Sequence, residues 1–469
     1  MRLHDDDVCV RGVSHGQPCI LLISPDVKRV LIITYYWPPT GGAGVQRWLK
    51  FVKYLRNFGW EPVVYTPFNP ESPDEDESLL KDIPEDVEVM KTEIWEPYNL
   101  YRKFTGAKKT DKINPAFHTD KKKVSFKQSF GVWVRGNFMI PDPRKFWIKP
   151  SVRYLQQWVE REVLNGNKVD AIVSSGPPHS MHLIGMGLHR ETNIPWIADF
   201  RDPWTNLDFY DELKLSAWAD RKHRRLERKV LEQANVVLSV GKTMNGQFME
   251  MMRAWGNTKE LSKFKVIANG YDESDVYKGA VDADKKFSIA HIGTMSHARN
   301  PEVLWKALKR LSEENADFRN DLEIKLVGKV DGYVAESVRS YGLGNALNLV
   351  PYMPHHEVVK VQQQARLLLL VLNNTRTAKG ILTGKFFEYM SAKRPVLAVG
   401  PVDGDAAEIL REANAGTIAG YTDDELMYTQ VKDFYTKYKA GTLEVSSTGI
   451  EKYSRRELTR QLADVLNSL

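Results

Sequence analysis

Arg29-Val30-Leu31-Ile32-Ile33-Thr34-Tyr35 is an apolar, β-branched run of buried-strand length, and Trp37-Pro38-Pro39-Thr40-Gly41-Gly42-Ala43-Gly44 breaks it. Past the glycines, Val45, Trp48, Leu49, Val52 and Leu55 recur at the spacing of one buried helix face. Gly59 ends that pattern, and Pro62-Val63-Val64-Tyr65-Thr66 reads as a second strand. Strand, glycine loop, helix and strand form a βαβ unit, which implies a parallel sheet.

Working outward, residues 1–28 show no period and read as a poorly ordered extension. Residues 68–150 read as an irregular insertion rich in Pro, Lys and aromatics within a first domain, 29–270. Further strands are expected at 170–174, 195–200, 236–240 and 265–268, with a strongly charged helix at 217–233. Residues 271–286 suit a linker. A second alternating series then fills 287–445, with strands at 287–292, 323–327, 347–350, 367–372 and 395–399 and helices between them. The tail, 446–469, ends in a helix carrying Leu458, Leu462, Val465, Leu466 and Leu469. The fold class is α/β, with two doubly wound domains.

Composition supports this. The 469 residues are 42% hydrophobic and 27% charged, which excludes disorder as the main state. Lys and Arg number 66 against 60 Asp and Glu, an excess too small to argue for nucleic acid. Both cysteines, Cys9 and Cys19, lie in the extension, so no disulfide framework holds the body. The purest apolar run, Leu367 to Leu372, is too short to span a membrane. The acidic start, Asp5-Asp6-Asp7, is unlike a signal peptide and reads as a solvated tail. A cytoplasmic location is expected.

Four loops are candidates for chemistry. Gly41-Gly42-Ala43-Gly44 opens a helix, where free N–H groups and the dipole favour an anion. It lacks the spacing of a dinucleotide or P-loop fingerprint, and a tight turn is an equal reading. In Thr383-Gly384-Lys385-Phe386-Phe387-Glu388 a cation occupies the first helical turn, the end where cations are disfavoured. A phosphate bound there would explain Lys385, and Glu388 could accept from a sugar hydroxyl; the plain alternative is an i,i+3 ion pair. Ile292-Gly293-Thr294 ends a strand and is followed by His297 and Arg299, placing Arg299 where open α/β sheets bind ligands. Ser174-Ser175-Gly176-Pro177-Pro178-His179 and Asp199-Phe200-Arg201-Asp202-Pro203-Trp204 fall on the same edge as the glycine loop. Asp199, Arg201 and Asp202 imply a polar cleft or a paired cluster. His179 is a candidate donor or base, although a lone His is more often structural. No nucleophile elbow and no zinc spacing is present.

These segments, together with Ile194–Trp204, Lys385–Leu397 and Tyr453-Ser454-Arg455, resemble bacterial family 4 glycosyltransferases from about residue 29 to the end. The resemblance implies a GT-B fold, in which two Rossmann-like domains face across a cleft and the C-terminal helix crosses back to the first. It also implies transfer of a sugar from a nucleotide diphosphate sugar to a glycan or lipid-linked acceptor, with retained configuration. No cofactor and no metal would be required. The first domain would face the acceptor and the second would hold the donor. Glu388 would bind the ribose, and the Thr383, Gly384 and Lys385 backbone the diphosphate. Lys385 and Arg299 would oppose the leaving-group charge. Gly41, Gly42 and Gly44 would face the phosphates from the other side, with Gly293 and Thr294 on the donor wall. His179 and Asp202 complete the catalytic candidates.

Two positions depart from the family pattern: Gly380 replaces a frequent Glu, and Thr294 a phosphate-binding Arg. A nucleotide-sugar epimerase and a non-catalytic subunit of a polysaccharide assembly are the alternatives. Arg102 to Lys127 holds nine Lys or Arg against two Asp, interleaved with Phe104, Phe117 and Phe126. It reads as a contact for an anionic membrane surface or as a solvated loop, and it lacks a nucleic-acid motif.

Overall fold

The computed structural model describes residues 27–71, 75–97, 126–207, 210–444 and 447–469. The extension up to residue 26 and most of the basic stretch, residues 102–125, lie outside them.

The first sheet contains β1 (Lys28–Ile33), β2 (Trp60–Pro67), β3 (Glu88–Thr92), β4 (Ala171–Gly176), β5 (Trp196–Phe200), β6 (Val236–Ser239) and β7 (Phe264–Val266). Their spatial order is β3-β2-β1-β4-β5-β6-β7, and every pair is parallel. Side chains of β1 enter two cores. Leu31 and Ile33 pack on one face, and Val30 and Ile32 on the other. Burial on both faces is why this strand reads as a continuous apolar run rather than an alternation.

The second sheet contains β8 (Phe287–Ile292), β9 (Leu322–Val327), β10 (Leu347–Val350), β11 (Leu367–Val371), β12 (Val396–Val399) and β13 (Gly416–Ala419). Its order is β10-β9-β8-β11-β12-β13, again parallel. In each sheet the winding reverses beside the first strand, between β1 and β4 and between β8 and β11. A crevice opens at the carboxyl ends of the strands there.

The interval 68–150 is less irregular than its composition implies. It holds β3 and the helix Phe126–Phe138, and the helix Lys145–Leu164 begins inside it. In β3 only Met90 is buried, so an edge strand left no apolar run to detect. The second helix contains Pro150, a residue that ordinarily argues against a helix interior.

Two crossings join the domains. Tyr271 N–H donates to Tyr453 O, and Arg455 N–H donates to Tyr271 O at 2.8 Å. The helix Arg455–Asn467 then packs Leu458, Leu462, Ala463 and Leu466 against Val45, Trp48, Leu49 and Val52 of the helix Ala43–Leu55. Lys50 of that latter helix reaches Asp82 at 2.8 Å and Asp272 at 2.6 Å, pinning the crossing segment to the first domain.

Candidate active site

A cleft of about 1220 Å³ lies between the domains. Its wall on the second domain carries Arg299, Thr383, Gly384, Lys385 and Glu388; Gly42, Gly44, Arg201 and Asp202 line the opposite wall.

The helix Gly384–Ser391 explains the second wall. Thr383 is its N-cap, the hydroxyl accepting from Phe386 N–H at 3.3 Å. Phe386, Phe387, Tyr389 and Met390 are buried, which leaves Lys385 and Glu388 to the cleft side. The Tyr389 hydroxyl accepts from Ile292 N–H at 2.9 Å, tying this helix to the end of β8. Gly293 follows β8 with φ 111°, and a Cβ there would stand 2.7 Å from Lys385 Nζ. Glycine therefore admits the ammonium over the strand end. Arg299 donates from Nε to Asn373 Oδ1 at 2.7 Å, which aims the guanidinium.

Both cations are electrostatically uncomfortable. Burial, then the neighbouring Arg299, pushes the Lys385 ammonium down to about 8, with Glu388 opposing. Burial alone lowers Arg299. His291 backs the pair within β8. Its Nδ1 donates to Leu369 O at 3.0 Å, which fixes the tautomer, and burial beside Lys385 holds it neutral, down to about 3. Two cations and the free N–H groups of a helix start thus share one hollow, an arrangement suited to a dianion.

On the first wall, the Arg201 guanidinium clamps the glycine loop. Nη1 donates to Gly44 O at 3.0 Å and Nη2 donates to Pro177 O. A Cβ at Gly44 would meet Arg201 Nη1 and the Tyr36 ring at 2.9 Å, so this glycine serves close packing of side chains. Gly42 is the N-cap of the following helix at φ 91°. Gly41, Gly293 and Thr294 are not among the wall residues; Gly293 lies behind Lys385 instead. Asp199 is fully buried and satisfied by Arg47 at 2.8 Å, Trp48 Nε1 at 2.8 Å and Ser175 Oγ at 3.1 Å, a structural pair. Asp202 is exposed on the wall.

His179, a candidate donor or base by sequence, lies elsewhere. It is buried, stacked on Trp204 at 4.6 Å, and absent from the cleft wall. Burial and the adjacent His182 keep it well below the usual range. The sequence placed it correctly after β4, but the aromatic loop 200–204 covers the ring.

Arg455, within the Tyr453-Ser454-Arg455 motif, is a further residue at the cleft that spacing along the chain does not single out. Only 5% exposed, it borders the cleft with Nη1 unpartnered. Burial and Arg47 push it down to about 10, while Asp272 and Glu388 oppose.

Residues 286–437 match the family model described as Glycosyl transferases group 1. Comparison with curated protein sequences yields no match. Among solved structures, the N-terminal domain of Candida albicans trehalose-6-phosphate phosphatase superposes with a TM-score of 0.59 at 13% identity, covering 97% of this chain and 98% of that one. Anabaena HepE, solved in complex with UDP-glucose, gives 0.54 at 13% identity over 94% and 100%. Sucrose-phosphate synthase from Thermosynechococcus elongatus gives 0.53 at 13% identity over 94% and 98%. At such identities the likeness is one of fold. Two Rossmann-like domains facing across a cleft define the GT-B architecture.

Proposed function

We propose that this protein transfers a sugar from a nucleotide diphosphate sugar to a glycan or lipid-linked acceptor, in cell-envelope polysaccharide or glycolipid assembly at the cytoplasmic membrane face. The observation that carries the reading is the convergence of Lys385 and Arg299, both depressed by burial, on the helix start at Thr383 and Gly384. Glu388 offsets only part of the burial and repulsion acting on Lys385, and desolvated cations left short of negative charge are unfavourable unless an anion joins them. The group 1 match over the same domain supports a sugar-nucleotide diphosphate as that anion.

In this reading the diphosphate sits against Lys385, Arg299 and the Gly384 and Lys385 amides, and Glu388 accepts from the ribose hydroxyls. As the glycosidic bond breaks, negative charge grows on the leaving diphosphate. Fixed donors aimed at that charge supply the electrostatic stabilisation. Asp202 faces the acceptor side from the opposite wall. The His179 ring takes no part at the reacting atoms. Configuration is retained, and no metal or cofactor is called on.

The test is nucleotide release and glycan formation across a panel of nucleotide diphosphate sugars. Lys385→Ala should slow transfer about 100- to 1000-fold, the loss seen when one such donor is removed. Wild-type turnover by Lys385→Ala at saturating donor would reject the role. Conversion of donor alone, followed by NMR, would indicate epimerisation instead.

A further inference from the structure

The first domain carries a surface that donor binding does not use. Trp95, Phe130, Trp133, Phe138, Phe146 and Trp218 are each between 37% and 59% exposed. They form a connected ridge. Phe130 stacks on Trp133 at 5.9 Å, and Trp133 meets Phe138 at 5.7 Å. Lys145 donates to Phe138 O at 2.6 Å and lies 4.8 Å over Phe146, whose ring touches Trp95 at 4.9 Å. Asn137 then bonds Lys214 O and Ser216 N–H, joining the ridge to the helix Ala217–Gln233. There Trp218, Arg221, Lys222 and Arg225 share one helix face, with Lys222 over the Trp218 ring at 4.8 Å.

Exposed rings in such number mark a surface made to be covered. Lysine is depleted where proteins cover one another, yet here lysines sit on the rings themselves. Rings at headgroup depth with cations reaching phosphates is the pattern of a lipid interface. The acids beside it are few: Glu93 and Glu212 are exposed, and Asp220 is held by Arg224 and Tyr210. Glu212 lines the cleft, and Leu213, its neighbour, packs on Gly136 at the end of the aromatic helix. The ridge therefore borders the cleft mouth on the wall that carries Asp202. No described helix is long and apolar enough to cross a membrane.

We propose that this ridge seats the protein on an anionic phospholipid bilayer, rings at headgroup level and lysines on lipid phosphates, with the cleft opening beside the surface. Only the orientation of the cleft rests on the proposed transferase reading. Seating itself requires neither donor nor turnover, so its failure would leave the proposed sugar transfer intact and remove only its placement at the membrane face.

The experiment is vesicle co-sedimentation of the full chain without nucleotide sugar. Vesicles of phosphatidylcholine with about three parts in ten phosphatidylglycerol are compared with pure phosphatidylcholine. Binding to the anionic vesicles alone is expected. Lys222→Glu with Arg225→Glu should lower it about tenfold or more, and Trp133→Ser with Phe138→Ser should do likewise at an unchanged melting temperature. If the aromatic pair alters folding, the exposed charge pair decides. Equal recovery on neutral lipid, or full binding by the charge pair, would overturn the proposal. So would a concentration-dependent dimer abolished by the aromatic pair, which would assign the ridge to a second copy.

Discussion

Asp405 of the second domain caps a helix of the first. Its carboxylate accepts from Thr243 N–H at 3.1 Å and from the Thr243 hydroxyl at 2.6 Å, at the start of the helix Lys242–Ala254. The N-cap residue, Gly241, supplies no capping side chain, and a Cβ there would run into Asp405 Oδ2. Lys242 pairs with Glu408 alongside. The contact works as a clasp between the domains, separate in sequence from the crossing at Tyr271 and Ser454.

Removing the clasp should open the molecule. Hydrogen bonds to a charged group contribute about 1.5–3 kcal/mol, so Asp405→Ala should lower the unfolding free energy by that order and raise the radius of gyration in solution scattering. Gly241→Ala should do the same by displacing the carboxylate. Because both act on one contact, the double variant should be little worse than either single one. Additive losses would show that the two substitutions act separately.

The Lys385 ammonium gives a signed pH dependence. Its pKa is pushed to about 8 from an unfolded value near 10.5, so between these the unfolded chain holds more protons. Stability of the ligand-free protein from this group should rise as pH climbs from about 8 to about 10.5, and the full penalty should apply below 8. Anion binding has the opposite sign. Affinity for a nucleoside diphosphate should be flat below about pH 8 and fall up to tenfold per unit above it, because the anion favours the charged form. Titration calorimetry reads this directly. Lys385→Met should abolish the slope and stabilise the free protein below pH 8; a slope that survives would remove the ammonium from the site.

The same two loops show how far the sequence could be read. Thr383 to Glu388 was legible because a lysine in a first helical turn contradicts the dipole, and an anomaly of that kind is local. Arg299 was legible because it follows a strand at a winding reversal. The strand β13 is four residues long with only Ile418 and Ala419 buried, too short to show a period; the helix Asp424–Lys439 does carry Met427, Val431, Phe434 and Tyr435 at one-face spacing and was readable in principle. The roles of Gly44 and His179 were hidden for another reason. Each depends on a side chain brought from a distant loop, Arg201 in one case and Trp204 in the other. Spacing along the chain carries no record of such meetings.

Arg47 illustrates a buried cation that is structural. Its guanidinium completes Asp199, which has no other cation at hydrogen-bond distance among the described residues. Arg47→Met should leave that carboxylate buried and uncompensated, lowering stability by about 3–5 kcal/mol in denaturant unfolding. A change below 1 kcal/mol would mean that Trp48 and Ser175 suffice.

Arg455 should respond in the opposite sense. Its side chain is as deeply buried, but Nη1 meets no acceptor, and the field of Arg47 adds to the burden. Its pKa, lowered to about 10 from 12.5, signals a charge that folding disfavours at every pH below 10. Asp272 and Glu388 offset only part of that penalty, and an apolar chain of similar length relieves the remainder, so Arg455→Met should melt at the wild-type temperature or above it. If the guanidinium is kept for a ligand in the cleft beside Glu388, the same variant should lose donor affinity, raising KM more than it lowers kcat, with partial rescue by Arg455→Lys. A gain in stability joined to a loss of binding is a combination that a purely structural arginine cannot produce. A destabilised Arg455→Met with unaltered donor affinity would return the residue to the scaffold.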